Sequence, residues 1–406
     1  SLLETIGSLA TEKRHQVRET AIPSLFGALE RGGETFGDAG ILHTARDVLL
    51  PVLQRLQTGL ASELSLLLQS LAPTSPSHGT RGGRRLEATN PQIEGWRASL
   101  TEAFRGCLKA LFTVRVLGLS GQREGEEVFR GFLGAFSNCL LGGGDKVALS
   151  VTLSMKDAVC ERLVEKKLPS SVWTGMWEAT DAAVAEACTR RTISPQALWD
   201  LVKTVSSTMP PARKAGLLQP TIVVCLIRLV DRLVTAGSPE HGASGPTKFQ
   251  TAALNELRSI AGSFGSISEG DEECLWQAYL YVLLSHLPGD VTHHPWSCQL
   301  DPPLQEGRVF HRGLVRAISE AVSSSFSQAP EGVRAKEAEG VVGVLLVALC
   351  SPQLREGGAW GPVAEAVVKV ACSGFPLIRQ LGGGDSEARP WNMLTMGLET
   401  FFWGGG

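Results

Sequence analysis

The sequence has little tyrosine, 2 residues in 406, and its nine cysteines include no Cys-x-x-Cys pair. An odd, unpatterned set scattered from Cys107 to Cys372 gives neither a disulfide framework nor a regular zinc motif, and it reads as reduced, buried thiols in a cytosolic protein. An excess of one charge is missing too. With 38 Lys+Arg against 41 Asp+Glu the net charge is −3, so no basic field draws in nucleic acid or an anionic membrane. The longest uncharged apolar stretch, Gly340 to Cys350, falls well short of the roughly 18 to 20 residues that cross a bilayer. There is no charged-then-apolar leader, the first residue is Ser1, and three glycines follow Trp403, so an internal fragment of a longer chain is expected. Alternating runs of strand length are absent.

What is present is helical spacing almost everywhere. Hydrophobic residues make up 43 % and charged residues 19 %, a balance that supports an ordered chain with a real core. Ile41, Leu42, Ala45, Val48, Leu49, Val52, Leu53, Leu56 and Leu60 step by three or four and mark one face of a long helix. The same reading predicts helices near 1–10, 16–31, 40–71, 93–118, 125–141, 145–166, 170–190, 195–209 and 216–236. Six more are expected near 248–264, 270–287, 307–326, 334–350, 359–381 and 386–403. Breakers separate them at Gly32-Gly33, Gly142-Gly143-Gly144-Asp145, Pro210-Pro211, Pro288-Gly289-Asp290 and Gly382-Gly383-Gly384-Asp385. Antiparallel helices joined by short turns over this length fit either stacked bundles or an α-solenoid, and the size favours the second: an all-α solenoid of degenerate HEAT/armadillo-like helical pairs, in which each pair buries its apolar face against its neighbours. The expected organisation is a first module over 1–71, a flexible loop over 72–92, middle repeats over 93–236, a loop over 237–247 and C-terminal repeats over 248–403.

Chemistry-bearing clusters are few. His293, His294 and Cys298 lie close together, but no second His/Cys pair completes a zinc set, and a polar loop is the plainer reading. No Gly-x-Ser-x-Gly elbow is present, and the glycine triplets lack the Lys-Ser/Thr of a phosphate loop, so they are read as inter-helix turns. No metal, cofactor or catalytic residue is expected. Arg81, Arg84 and Arg85 are candidate contacts for a partner or for anionic lipid, although three charges are too few for stable anchoring and a solvated loop is the simpler reading. Trp173 and Trp177, four apart, with Trp199 on the next helix, are read as core packing.

The segment Thr11-Glu12-Lys13-Arg14-His15-Gln16-Val17-Arg18 resembles the inter-helix turn of a HEAT repeat, with Glu12 where that pattern usually has Asp. Glu12 is expected to accept hydrogen bonds at the new helix's start, Val17 to pack between the two helices, and Arg14 and Arg18 to ladder to acidic groups on neighbouring repeats. An Asp at Val17 is accordingly expected to cost several kcal/mol, on the order of a buried-charge penalty. Read on through Val17 to Phe26, Thr35-Phe36 and Val48 to Leu53, the sequence resembles the module downstream of the catalytic domain in large Arf guanine-nucleotide exchange factors. It is more closely similar to the monensin-sensitivity protein 2 family of Golgi and endosome scaffolds. Ile93 to Asp157, with Trp96, Phe129 and Asp145 to Ser150, resembles that family's next module, and Ala371 to Phe402, with Gly374 to Gln380 and Trp391, its C-terminal region.

The resemblance implies a non-catalytic scaffold of endosome-to-Golgi and trans-Golgi vesicle traffic, peripheral on those membranes. It further implies partners in a Dopey-type protein, an aminophospholipid flippase and an Arf-like GTPase. Two other readings are weighed: the regulatory C-terminal region of a large Arf exchange factor, and a HEAT-type nuclear-transport receptor, which its modest net charge does not favour.

Overall fold

The structure is a computed structural model and describes residues 2–32, 36–70, 90–236, 247–266, 269–288, 312–352, 354, 358, 360–381 and 388–403. Among these residues there is no strand. The chain divides into two compact units, Ser1–Leu218 and Gln219–Gly406, a division that falls inside the 93–236 block of the sequence reading.

The first unit contains α1 (Leu2–Leu9), α2 (His15–Gly32), α3 (Asp38–Thr44), a π turn (Ala45–Leu49), α4 (Leu50–Ser70), α5 (Pro91–Leu111) and α6 (Val114–Gly118). After these come α7 (Arg123–Gly142), α8 (Gly144–Val164), α9 (Ser170–Arg190), α10 (Pro195–Ser206) and α11 (Met209–Ala215). Helix α2 packs on α5, α5 on α8 and α8 on α10, while α4 packs on α7 and α7 on α9. The pairs α4/α5 and α7/α8 join these two rows, which is the two-layer stacking of a solenoid of helical pairs.

The second unit repeats the plan with α12 (Pro220–Ala236), α13 (Lys248–Ala261), α14 (Glu269–Ser285), α15 (Arg312–Gln328), α16 (Glu331–Cys350), α17 (Trp360–Leu381) and α18 (Ala388–Trp403). Here α12, α14, α16 and α18 form one row and α13, α15 and α17 the other, paired as α12/α13, α14/α15 and α16/α17. The solenoid of helical pairs is thus the architecture of each unit.

Between the rows lie aromatic clusters. In the first unit Phe104 stacks on Phe132 at 5.1 Å between centroids, with Phe112 meeting Phe129 and Phe132 edge-on. Trp173 and Trp177 are fully buried and meet edge to face at 5.7 Å, and Trp173 Nε1 donates to the Leu217 carbonyl at 3.0 Å. Trp199 is only half-buried. In the second unit Phe264, Trp276 and Tyr279 form a T-shaped triad, and the Tyr279 hydroxyl meets Ser325 Oγ at 2.8 Å. Cys107, Cys139 and Cys225 sit in these cores, whereas Cys274 and Cys372 are exposed. Burial pushes the Cys139 thiol up to about 12 despite a hydrogen bond from Gln57, and raises Cys107 as well, helped by its neighbour Cys139.

Several boundaries differ from the sequence reading. The helix expected over 93–118 breaks at Phe112, because the Thr113 side chain accepts from Val116 N and caps a new short helix. Pro210-Pro211 does not separate the helices expected over 195–209 and 216–236. Both prolines stand in the first turn of α11, where a missing N–H leaves no bond unmade. Pro23 lies within α2, and the helix runs on since Pro23 and Glu19, whose carbonyl loses its partner, are both exposed. The Gly142-Gly143-Gly144 turn is a single residue long, with Gly144 at φ +74 opening α8. By length and composition Trp360–Ile378 of α17 would pass for a bilayer-crossing helix. A search for uncharged runs misses it because Glu365 and Lys369, paired at 2.7 Å, interrupt it, and here its apolar face packs on α15 and α16.

Candidate functional site

The motif residues lie where two helices turn back on each other. α1 ends at Leu9, α2 opens at His15, and the carbonyls of Glu12 and Lys13 in the turn point away from any helix ladder. Arg18, one turn into α2, is fully buried and supplies their donors: its Nη1 reaches both carbonyls at 2.6 Å. Its Nε donates to Ser99 Oγ on α5 at 3.1 Å, and the guanidinium lies 3.8 Å from the centre of the Trp96 ring, also on α5. One cation therefore closes the α1–α2 turn and clamps the pair to the next helix. Burial lowers its pKa, partly offset by Glu63 and Glu12.

This corrects two expectations about the motif. Arg18 spends its hydrogen bonds on Ser99 and on the carbonyls of its own turn, which need donors, so acidic Glu63 of the neighbouring pair acts on it only through space. Glu12 hydrogen-bonds Arg18 through its carbonyl, and its carboxylate stands 4.0 Å from exposed Arg14. Val17 is half-buried, so the tightest packing position is its neighbour. Arg81, Arg84 and Arg85 lie outside the described residues, as do His293, His294 and Cys298.

A second cluster ties α5 to α8. Glu94 accepts from Arg97 at 2.9 Å and from Lys146 at 2.9 Å, and Arg97 also donates to the Gly143 carbonyl at 3.3 Å. In the second unit the Glu337 carboxylate, buried on α16, accepts from Gln277 on α14 at 2.7 Å. His286 Nε2 lies 2.6 Å from Asp231 and links α14 to α12. The adjacent Ser285 hydroxyl donates to the Val282 carbonyl at 2.8 Å, so it is directed into its own helix. Among the described residues no group of three His, Cys, Asp or Glu side chains is placed to hold a metal.

Depressions also open among the described residues of the first unit, and two of them have defined linings. One, of about 630 Å³, is polar and includes Gln54, Gln57, Asn138 and the Glu186–Arg190 ion pair. The Gln57 amide nitrogen in it is committed to the Ala135 carbonyl at 2.6 Å. The other, of about 430 Å³, is apolar. Phe26 and Leu29 of α2 form one wall, Phe36, Ile41, Ala45 and Leu49 around the π turn a second, and Ala110, Leu111 and Val116 of α5 and α6 a third. Glu30 and Lys109 stand on its rim, both exposed. The volume lies within the roughly 300 to 1,000 Å³ of ordinary ligand pockets.

Sequence reasoning did not single out this groove. Phe26 and Leu29 follow helical spacing and read as core, and nothing in the periodicity announces a π turn at Ala45–Leu49. The usable signal was Gly106 in mid-helix: a Cβ there would lie 2.3 Å from the Phe26 ring, so its absence lets that ring lie against α5.

No family model and no curated protein matches the chain. Among solved structures it is similar, at 12 % identity and a TM-score of 0.45, to one described as a circular tandem repeat protein with novel repeat topology and enhanced subunit contact surfaces. That match covers 98 % of this chain and 89 % of the other.

Proposed function

We propose that the chain is a non-catalytic helical scaffold of endosome-to-Golgi and trans-Golgi vesicle traffic, acting by protein–protein binding while peripheral on those membranes. The observation that carries the reading is the position of the Glu12–Arg18 segment. It forms the turn of a packed helical pair, the place the repeat motif of the monensin-sensitivity protein 2 family would occupy, with Arg18 as the residue that joins one repeat to the next. Gly374 and Trp391, quoted for the same resemblance, also sit at helix contacts in the second unit. Stacked pairs present long surfaces spanning several repeats, which suits assembly with large partners. The partners proposed are a Dopey-type protein, an aminophospholipid flippase and an Arf-like GTPase.

The test is immunoprecipitation of the tagged chain from cells, with the Dopey-type protein and the flippase quantified in the eluate and the tag imaged against a trans-Golgi marker. Recovery of both partners with a Golgi-associated signal is the expected result. A diffuse signal with neither partner above background would sink the reading. Purified chain added to an Arf-like GTPase should leave nucleotide release and GTP hydrolysis unchanged, and stimulation of either would point to an enzyme.

A further inference from the structure

The apolar groove of the first unit is lined by side chains that the fold covers only in part. Phe26, Leu29, Phe36 and Ile41 are each half-buried around it, which leaves aromatic and aliphatic surface without a neighbour on one side. Its shape depends on two local departures from regular helix packing. The π turn at Ala45–Leu49 interrupts the long helix where Thr44, Ala45 and Leu49 line the wall. Gly106 removes the side chain that would otherwise lift Phe26 into the space. Among the described residues that line it, the groove carries one charge of each sign, Glu30 on α2 and Lys109 on α5, and neither makes an ion pair with a described residue.

We propose that this groove binds an amphipathic helix of a partner protein, with two or three large apolar side chains in the cavity, a basic residue against Glu30 and an acidic residue against Lys109. A cavity of about 430 Å³ takes a few Leu- or Phe-sized groups and not a whole helix, so the backbone rides on the rim and the side chains at i, i+3 or i+4, and i+7 enter. The paired rim charges favour a ligand with both signs along its length. A fatty carboxylate would satisfy Lys109 but meet repulsion from Glu30. This deepens the binding reading and rests on it only in supposing that the chain works by contact with proteins; it does not depend on which membrane the chain serves.

A displayed library of helical peptides of about 15 residues, with Leu and Phe on one face and variable flanks, selected on the full chain, supplies the probe. One selected peptide, fluorescein-labelled, is then titrated by fluorescence anisotropy. Lys109→Glu should weaken a peptide with an acidic flank roughly five- to tenfold, as a rim attraction becomes a repulsion, and the matching charge-reversed peptide should recover that loss. Glu30→Lys should behave in the mirror sense. Ile41→Arg should abolish binding, with circular dichroism showing that the helices remain, and the two rim variants carry the test if it does not fold. Binding that ignores both rim charges, selection of no helix at all, or a native mass spectrum in which a bound acyl chain blocks the peptide would each overturn the proposal. A failure here leaves co-precipitation of the Dopey-type protein untouched, and loss of that co-precipitation leaves the groove's peptide binding untouched.

Discussion

A single guanidinium holds the first repeat closed, and its removal has a calculable effect. Arg18→Ala deletes charge-assisted hydrogen bonds to two carbonyls and the stack on Trp96, and leaves those carbonyls without donors. The loss should be about 2 to 4 kcal/mol, read as a shift in the urea midpoint of the first unit. Arg18→Lys keeps the charge but not the fork, and should lose less. Val17→Asp, by contrast, should cost only about 1 kcal/mol, well below a buried-charge penalty. The position is half-buried, so the carboxylate reaches water, and it is the third residue of α2, where the helix dipole favours an anion. A loss for Val17→Asp as large as that for Arg18→Ala would mean that the side chain at 17 is sealed from water. Glu94 gives a pH dependence of known sign. Burial raises its pKa, but hydrogen bonds and charge from Lys146 and Arg97 outweigh burial, and the net value lies below the ordinary 4.5. A depressed carboxylate adds stability that is present above the unfolded value and lost as pH falls through the folded one. The first unit should therefore lose stability below about pH 4.5, and Glu94→Gln should flatten that part of the curve in urea titrations repeated from pH 6 to pH 3.

At the scale of elements, the helices were legible and their interruptions were not. Period 3.6 depends on which residues are apolar, so α7, α8, α9 and α16 fall within a few residues of their expected spans. The break at Phe112, the π turn and the start of α11 depend on where backbone groups find partners, which hydrophobic spacing does not encode. The candidate site was half legible for the same reason. The Glu12–Arg18 turn could be seen from its residue types, but the acceptors of Arg18 are carbonyls and carry no sequence signature. Gly374, on α17, shows the distinction in one residue. A Cβ there would lie 2.4 Å from the Ala338 Cβ and 3.1 Å from the Arg334 carbonyl, both on α16, so these helices touch backbone to backbone. Neither neighbour is a flexible side-chain end that can swing aside. Gly374→Ala should destabilise the second unit by about 1 to 3 kcal/mol, measured by thermal or urea unfolding. An unchanged midpoint would mean that α16 and α17 can separate freely.

At the scale of the whole molecule, each unit has its own aromatic core and its own two rows of helices. Residues 1–218 and 219–406, produced separately, should each give a helical far-ultraviolet spectrum and a cooperative urea transition. A half that stays molten, with helical signal but no cooperative transition, would show that it needs the other to fold. The cysteines supply a way to follow each unit in the intact chain. Cys107 and Cys139 belong to the first unit and Cys225 to the second, all buried, while Cys274 and Cys372 are open to solvent. Cys107 and Cys139, whose burial raises their pKa, have almost no thiolate to attack an alkylating reagent, and they and buried Cys225 are reached only while the structure around them is transiently open. Brief iodoacetamide exposure followed by peptide mass spectrometry would then read two clocks in one tube: the exposed sites set the reagent's own rate, and the lag at Cys139 or Cys225 gives the opening free energy of its unit, in a crude lysate and with no added label.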